Sequence, residues 1–247
     1  MPPSEIRKEA REALSGNWGK AVCILLAYMV FTFALSFVEG LFVETGVLYL
    51  LIALAVMVIS VPISFGLIIS FMKLKRGEDV KAFGFIKNGF SHFGKSWGIA
   101  WHTFVKMLLP IICIFLVVML LAFSIGFGAA SGNYILAIVI VALYIATLIY
   151  SISRALLFSV AYNIGYDHPE LSSKECVNKS ADLMNGNRGS LFLLELSFIG
   201  WAILACFTFG IGLLWLAPYM QVALVCFYDR LYMPEAKKIE EEVKIEE

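Results

Sequence analysis

Long uninterrupted apolar runs alternate with short polar segments along the whole of this 247-residue chain. The runs cover residues 21–38, 46–71 (with Pro62 inside), 97–123 (with Pro110 inside) and 134–153. A last run, 191–227, is broken only at Phe209-Gly210-Ile211-Gly212. One bilayer crossing takes about 20 apolar residues, with a lower limit near 17. The last run is therefore read as a tight hairpin of two short spans, 191–208 and 213–228. Apolar positions are continuous and do not alternate with period two, which points to helices and excludes a β-barrel. The predicted fold is all-α: a polytopic membrane bundle of six transmembrane helices in one domain, residues 1–233.

The polar segments are themselves patterned. Residues 172–186 open with Ser172, carry Glu175 three positions later and end at Asn185-Gly186, a capping box followed by a stop signal. Cys176, Val177, Ser180, Ala181 and Met184 share one face of that predicted helix. Residues 4–15 repeat the arrangement with Ile6, Ala10, Ala13 and Leu14, and 81–93 does so more loosely with Phe83, Ile86 and Phe90. Each is expected to lie at the cytoplasmic interface with its weakly apolar face towards lipid or the bundle. Each precedes a Gly-containing junction (Gly16 to Gly19, Gly94, Gly186 to Gly189) and then a pair of spans, so three copies of one unit are expected. Residues 234–247, with six Glu and three Lys, read as a solvated, frayed cytoplasmic tail.

Charge orients this picture. Eighteen of the nineteen Lys and Arg residues fall in four clusters: residues 7–20, 73–95, 154–188 and 230–244. The connectors Glu39–Glu44, Ser124–Gly132 and Phe209–Gly212 hold none. Basic loops are retained on the cytoplasmic side, so both termini are expected there, in a plasma membrane. With 60% hydrophobic and 15% charged residues, a water-soluble fold is disfavoured. No basic face on a soluble module suggests nucleic acid. The first twenty residues are too charged for a cleavable signal peptide, and the run that follows is long enough to stay as an anchor.

Candidate chemistry is sparse. The five cysteines form no C-x-x-C pair and read as small core hydrophobes. His92, His102 and His168 are too scattered for a metal site, so no metal or cofactor is expected. Gly89 to Ser96 matches the phosphate-loop pattern letter for letter. It lacks the preceding strand, Phe90 and Phe93 would crowd a phosphate, and nucleotide binding at 89–96 is rejected. Ser60-x-x-x-Ser64 and Gly66-x-x-x-Ser70 suggest close helix packing. Three polar residues inside or beside spans remain: Lys106, Arg154 and Glu195. An intramembrane charge is costly and suggests function by default. Lys106 can snorkel to the interface beside Trp97 and Trp101. Glu195 cannot reach so far and is expected to face the bundle interior, protonated or paired with Lys106, Arg154 or Arg188.

The last third of the chain carries Asp167 and Pro169, then Met184-Asn185-Gly186, then Ser197-Phe198-Ile199-Gly200-Trp201, and finally Pro218-Tyr219. Together with Arg7, Ala10, Arg11, Leu14 and Gly16-Asn17-Trp18, these residues resemble the bacterial domain of unknown function 975 family. The resemblance implies an integral protein of a bacterial plasma membrane and no established activity.

The leading expectation is a non-enzymatic membrane module with a packing, assembly or envelope-response role. Its partners would be the lipid bilayer and other membrane proteins or further copies of itself. The alternative is a small-solute or lipid transporter using Glu195, Lys106 and Arg154 along a polar path. A membrane enzyme with a site on the cytoplasmic surface comes third.

Overall fold

The structure, a computed structural model, describes residues 2–131 and 135–246, with side chains for 2–127 and 135–232. The elements are α1 (Pro3–Leu14), α2 (Trp18–Leu41), α3 (Val47–Lys75), α4 (Gly84–Ser91), α5 (Phe93–Ser131) and α6 (Ile135–Leu157). They continue with α7 (Ala161–Asp167), α8 (Ser173–Met184), α9 (Arg188–Leu196), α10 (Ile199–Phe207) and α11 (Leu213–Glu246). No strand occurs among the described residues.

Five stretches are long and apolar enough to cross a membrane: Trp18–Leu41, Val47–Lys75, Phe93–Phe127, Ile135–Asp167 and Arg188–Phe207. The expected span 213–228 is the first part of α11. Its apolar length, Leu213 to Phe227, gives only about 22 Å of helix before Asp229 and Arg230, and Gln221 interrupts it. Other boundaries also move. Helix α5 runs on to Ser131, through most of the connector expected at Ser124–Gly132, whose last residue lies outside the described residues. The fifth span is two helices, broken at Ser197-Phe198. The tail expected to fray continues α11 as helix to Glu246, in keeping with its Ala, Lys and Glu content.

Burial divides the molecule into a platform and three arms. The core gathers Ile6, Ala10 and Leu14 of α1, Ile63 to Leu74 of α3, Phe85 of α4, Ile164 of α7, Cys176 to Met184 of α8 and Val222 to Leu231 of α11. The first turns of α2, α5 and α9 enter it through Ala21 and Ile24, Ser96 and Ile99, and Leu191 and Leu194. Beyond these turns the helices pair as apolar arms whose side chains point outward: Phe33 is 72% exposed, Phe123 70% and Phe207 79%. So much continuous apolar surface needs lipid or protein to cover it. Ile6, Ala10 and Leu14 of α1 and Cys176, Val177, Ser180 and Met184 of α8 are buried in the protein, with Ala13 and Ala181 partly so, and of the two partners expected for these faces it is the bundle that takes them.

Two glycines set the closest helix contact. A Cβ on Gly66 would strike the Phe85 carbonyl, and one on Gly89 would strike the Pro62 carbonyl. Ser70 donates to the Gly66 carbonyl at 2.8 Å and accepts from Asn88 at 3.3 Å. The small-residue spacing around Gly66 thus marks packing of α3 on α4, as expected from sequence.

The junctions test the expected repeat. Ser15 (φ −60°, ψ 127°) and Gly16 (φ 76°) form a turn closed by Asn17 N–H donating to the Leu14 carbonyl at 2.9 Å. Asn185 (φ −67°, ψ 119°) and Gly186 (φ 86°) form the same turn, closed by Asn187 N–H to the Met184 carbonyl at 3.0 Å. These are type II turns, which place glycine third because φ is positive there. The middle junction differs: only His92 separates α4 from α5, and Gly94 lies inside α5.

Candidate functional site

Helix α1 carries Arg7 and Arg11 one turn apart, beside the buried stripe of Ile6, Ala10 and Leu14. That register aims both guanidinium groups at the last hairpin. Arg7 Nη1 donates to the Ser197 carbonyl at 3.4 Å, at the break between α9 and α10. The Arg7 Nε is buried without a partner. Tyr219 Oη donates to the Arg7 carbonyl at 3.0 Å. The Tyr219 ring meets Phe198 edge-on, centroids 5.0 Å apart, and tilts against Trp18 at 6.1 Å. These contacts wall a cavity of about 640 Å³ that runs from Arg7 and Arg11 past Trp201, Leu204 and Trp215 to Thr208 and Gly212.

Beside it a network of ion pairs ties four helices together. Arg76 grips Asp167 of α7 through two parallel bonds of 2.7 Å. Lys75 reaches Asp229 of α11 at 2.5 Å and Glu9 of α1 at 3.3 Å. Arg230 donates to Glu9 at 2.8 Å and to Glu5 at 3.0 Å. Burial by itself would raise the Glu9 carboxyl, but hydrogen bonds from Arg230 and Lys75 outweigh it and hold Glu9 below the usual carboxylate range. Lys75 and Asp229 are mostly buried, so this cluster holds its geometry better than an exposed pair would.

Of the three polar candidates, Lys106 and Arg154 meet at one ring and Glu195 stands apart. Lys106 donates to Asn178 of α8 at 2.5 Å, and its ammonium stands 5.4 Å from the Phe158 ring centroid. Arg154 lies over the same ring at 5.7 Å. Glu195 is elsewhere, in a recess of about 110 Å³ with Phe198, Met220 and Gln221. Glu195 has no hydrogen-bond or ion-pair partner among the described residues, so the expected pairing does not form. The cause is the register of α9: Leu191 and Leu194 take the buried face and leave the next position at its rim. Arg188 instead donates to Ser153 at 3.2 Å and Asn185 at 3.3 Å.

The phosphate-loop letters have other uses. Gly89 packs on Pro62, Lys95 donates to the His168 carbonyl at 2.5 Å, and Ser96 donates to the Phe93 carbonyl. Among the described residues no group of three or more His, Cys, Asp or Glu could hold a metal ion.

Residues 1–234 match the family described as "Protein of unknown function (DUF975)". The chain belongs to this family. No curated protein and no solved structure matches it. The match includes the middle of the chain, beyond the two ends on which the resemblance was read. The residues that carried that resemblance sort into three places. Asp167 is in the ion-pair network, and Pro169 follows it in the α7–α8 connection. Met184 and Gly186 build the second turn. Trp201 and Tyr219 line the cavity, Ser197 and Phe198 contact its wall residues Arg7 and Tyr219, and Gly200 and Pro218 are next to them in sequence. Sequence reasoning did not single out Glu9, Lys75, Arg76 or Asp229, because each finds its partner 66 to 221 residues away. Arg7 and Arg11 were legible as a helical pair, but not as the mouth of a cavity.

Proposed function

We propose that the chain is a non-enzymatic, multi-pass module of the cell membrane, with six spans and both termini cytoplasmic. The platform lies on the cytoplasmic side, with the basic residues of 7–20 and 73–95 and Arg230, and the three arms cross the bilayer as hairpins. The short return arm, Leu213 to Phe227, crosses where the bilayer thins to match it. The observation that carries this reading is the separation of Glu195 from Lys106 and Arg154. A polar transport path would bring such groups to a shared cavity, whereas here Glu195 stands apart and Lys106 ties α5 to Asn178 of α8. The work assigned to the module is assembly: it holds other membrane components against its outward apolar arms.

Complementation of a deletion strain under envelope stress tests this reading. Glu195→Gln, Lys106→Gln and Arg154→Gln are expected to complement fully, while Lys75→Gln combined with Arg76→Gln fails. Loss of complementation by all three intramembrane variants, with normal protein levels, would replace the module with a transporter.

A further inference from the structure

Among the described residues, five basic residues of the platform have an acidic partner. Lys8 meets Glu12, Lys20 meets Asp79, and Lys75, Arg76 and Arg230 belong to the network. Arg7 and Arg11 have none among the described residues, and none of those lining the cavity they open onto is acidic. Below them the wall is apolar, formed by Trp201, Leu204, Trp215 and Leu216. From Trp201 to Thr208 it descends about 10 Å along α10. It closes where Gly212 lies against Ala205, so near that a Cβ there would stand 3.0 Å from the Ala205 Cα. The slot is therefore cationic at its mouth and tapered and apolar at its foot.

We propose that this slot binds an anionic phospholipid, with the phosphate on Arg7 and Arg11 and one acyl chain lying along Trp201, Leu204 and Leu216. The inference rests on the membrane reading above and adds a ligand to it. Guanidinium groups with free donors suit phosphate oxygens, and the buried Arg7 Nε is a donor already withdrawn from water. A free phosphate would leave the apolar wall unused. A partner helix, about 10–12 Å across with its side chains, does not fit the closed foot.

The test is native mass spectrometry of the full chain in neutral detergent, titrated with dioleoyl phosphatidylglycerol or dioleoyl phosphatidylcholine, with glycerol 3-phosphate as competitor. Phosphatidylglycerol is expected to be retained about thirtyfold better, the sum of two basic residues near a membrane surface. Arg7→Gln with Arg11→Gln removes that preference, Trp201→Ala weakens retention of both lipids, and glycerol 3-phosphate displaces neither. Equal retention of the two lipids, an unchanged preference in the arginine variant, displacement by glycerol 3-phosphate, or a dimer formed in place of the lipid complex each overturns the proposal. If the arginine variant does not fold, the wild-type chain decides. Phosphatidylglycerol with brominated chains must then quench its tryptophan fluorescence more than brominated phosphatidylcholine does, and equal quenching overturns the site. Failure of the membrane reading has its own sign: release of the chain from the membrane fraction by alkaline carbonate without detergent.

Discussion

Individual atoms decide several contacts. Gly66 meets backbone, not a side chain that could swing away, so Gly66→Ala must push α4 off α3. Overpacking of this kind costs about 1–3 kcal/mol. We expect that loss in unfolding measured in detergent, with Gly19→Ala, which meets nothing within 4 Å, as the neutral control. Glu9 gives a pH dependence whose sign is fixed. Its folded pKa lies below its unfolded value, so its contribution is complete above the unfolded pKa, about 4.3, and is lost as the pH falls through the folded one. Hydrogen exchange in α1 should therefore accelerate as the pH is lowered below about 4, after correction for intrinsic rates. Unchanged protection there would show that apolar burial alone holds the helix. Asp229→Asn leaves Lys75 with a weakened partner and is expected to cost about 1.5–3 kcal/mol by the same unfolding measurement.

Elements were the most legible scale. Ser172 and Glu175 announced the start of α8, and the structure has both reciprocal hydrogen bonds of that capping box. Gly16 and Gly186 announced turns because glycine is the residue that takes a positive φ without strain, and both have one. Gly94 misled, since a glycine before a span looks the same in sequence whether it bends the chain or lies within a helix. The break at Ser197-Phe198 was also hidden. Its residues are apolar or small, and the bend comes from side-chain packing against Tyr219 and from Ser197 Oγ donating to the Leu194 carbonyl at 2.6 Å. Of the three junctions, the first and third share one turn geometry. Gly16→Ala and Gly186→Ala should each destabilise by about 1 kcal/mol, whereas Gly94→Ala should not. A cost at Gly94 equal to the other two would mean that the middle junction is also a turn in solution.

The whole molecule was legible in class and hidden in assembly. Hydropathy and charge clusters outlined the arms, because lipid imposes a long apolar run on every crossing helix. The platform could not be read, since α1, α3, α7 and α11 meet there through contacts between distant parts of the chain. The cavity at Arg7 was hidden for the same reason. Deleting α11 should release α1 as a whole: trypsin is expected to cut after Arg7, Lys8 and Arg11 at least tenfold faster in a chain ending at Gly212. That rate follows from the loss of both Tyr219 and Arg230 as partners of α1. Equal cleavage in the two chains would place the anchoring of α1 elsewhere.

The bond from Tyr219 to the Arg7 carbonyl joins the start of the chain to a residue made 212 positions later. At about 5–20 residues per second, a ribosome needs about 10–45 s to supply that partner. For that interval α1 lacks the partners that bury it. A chain that stops early never covers it. Exposure of α1 would thus report whether α11 is in place.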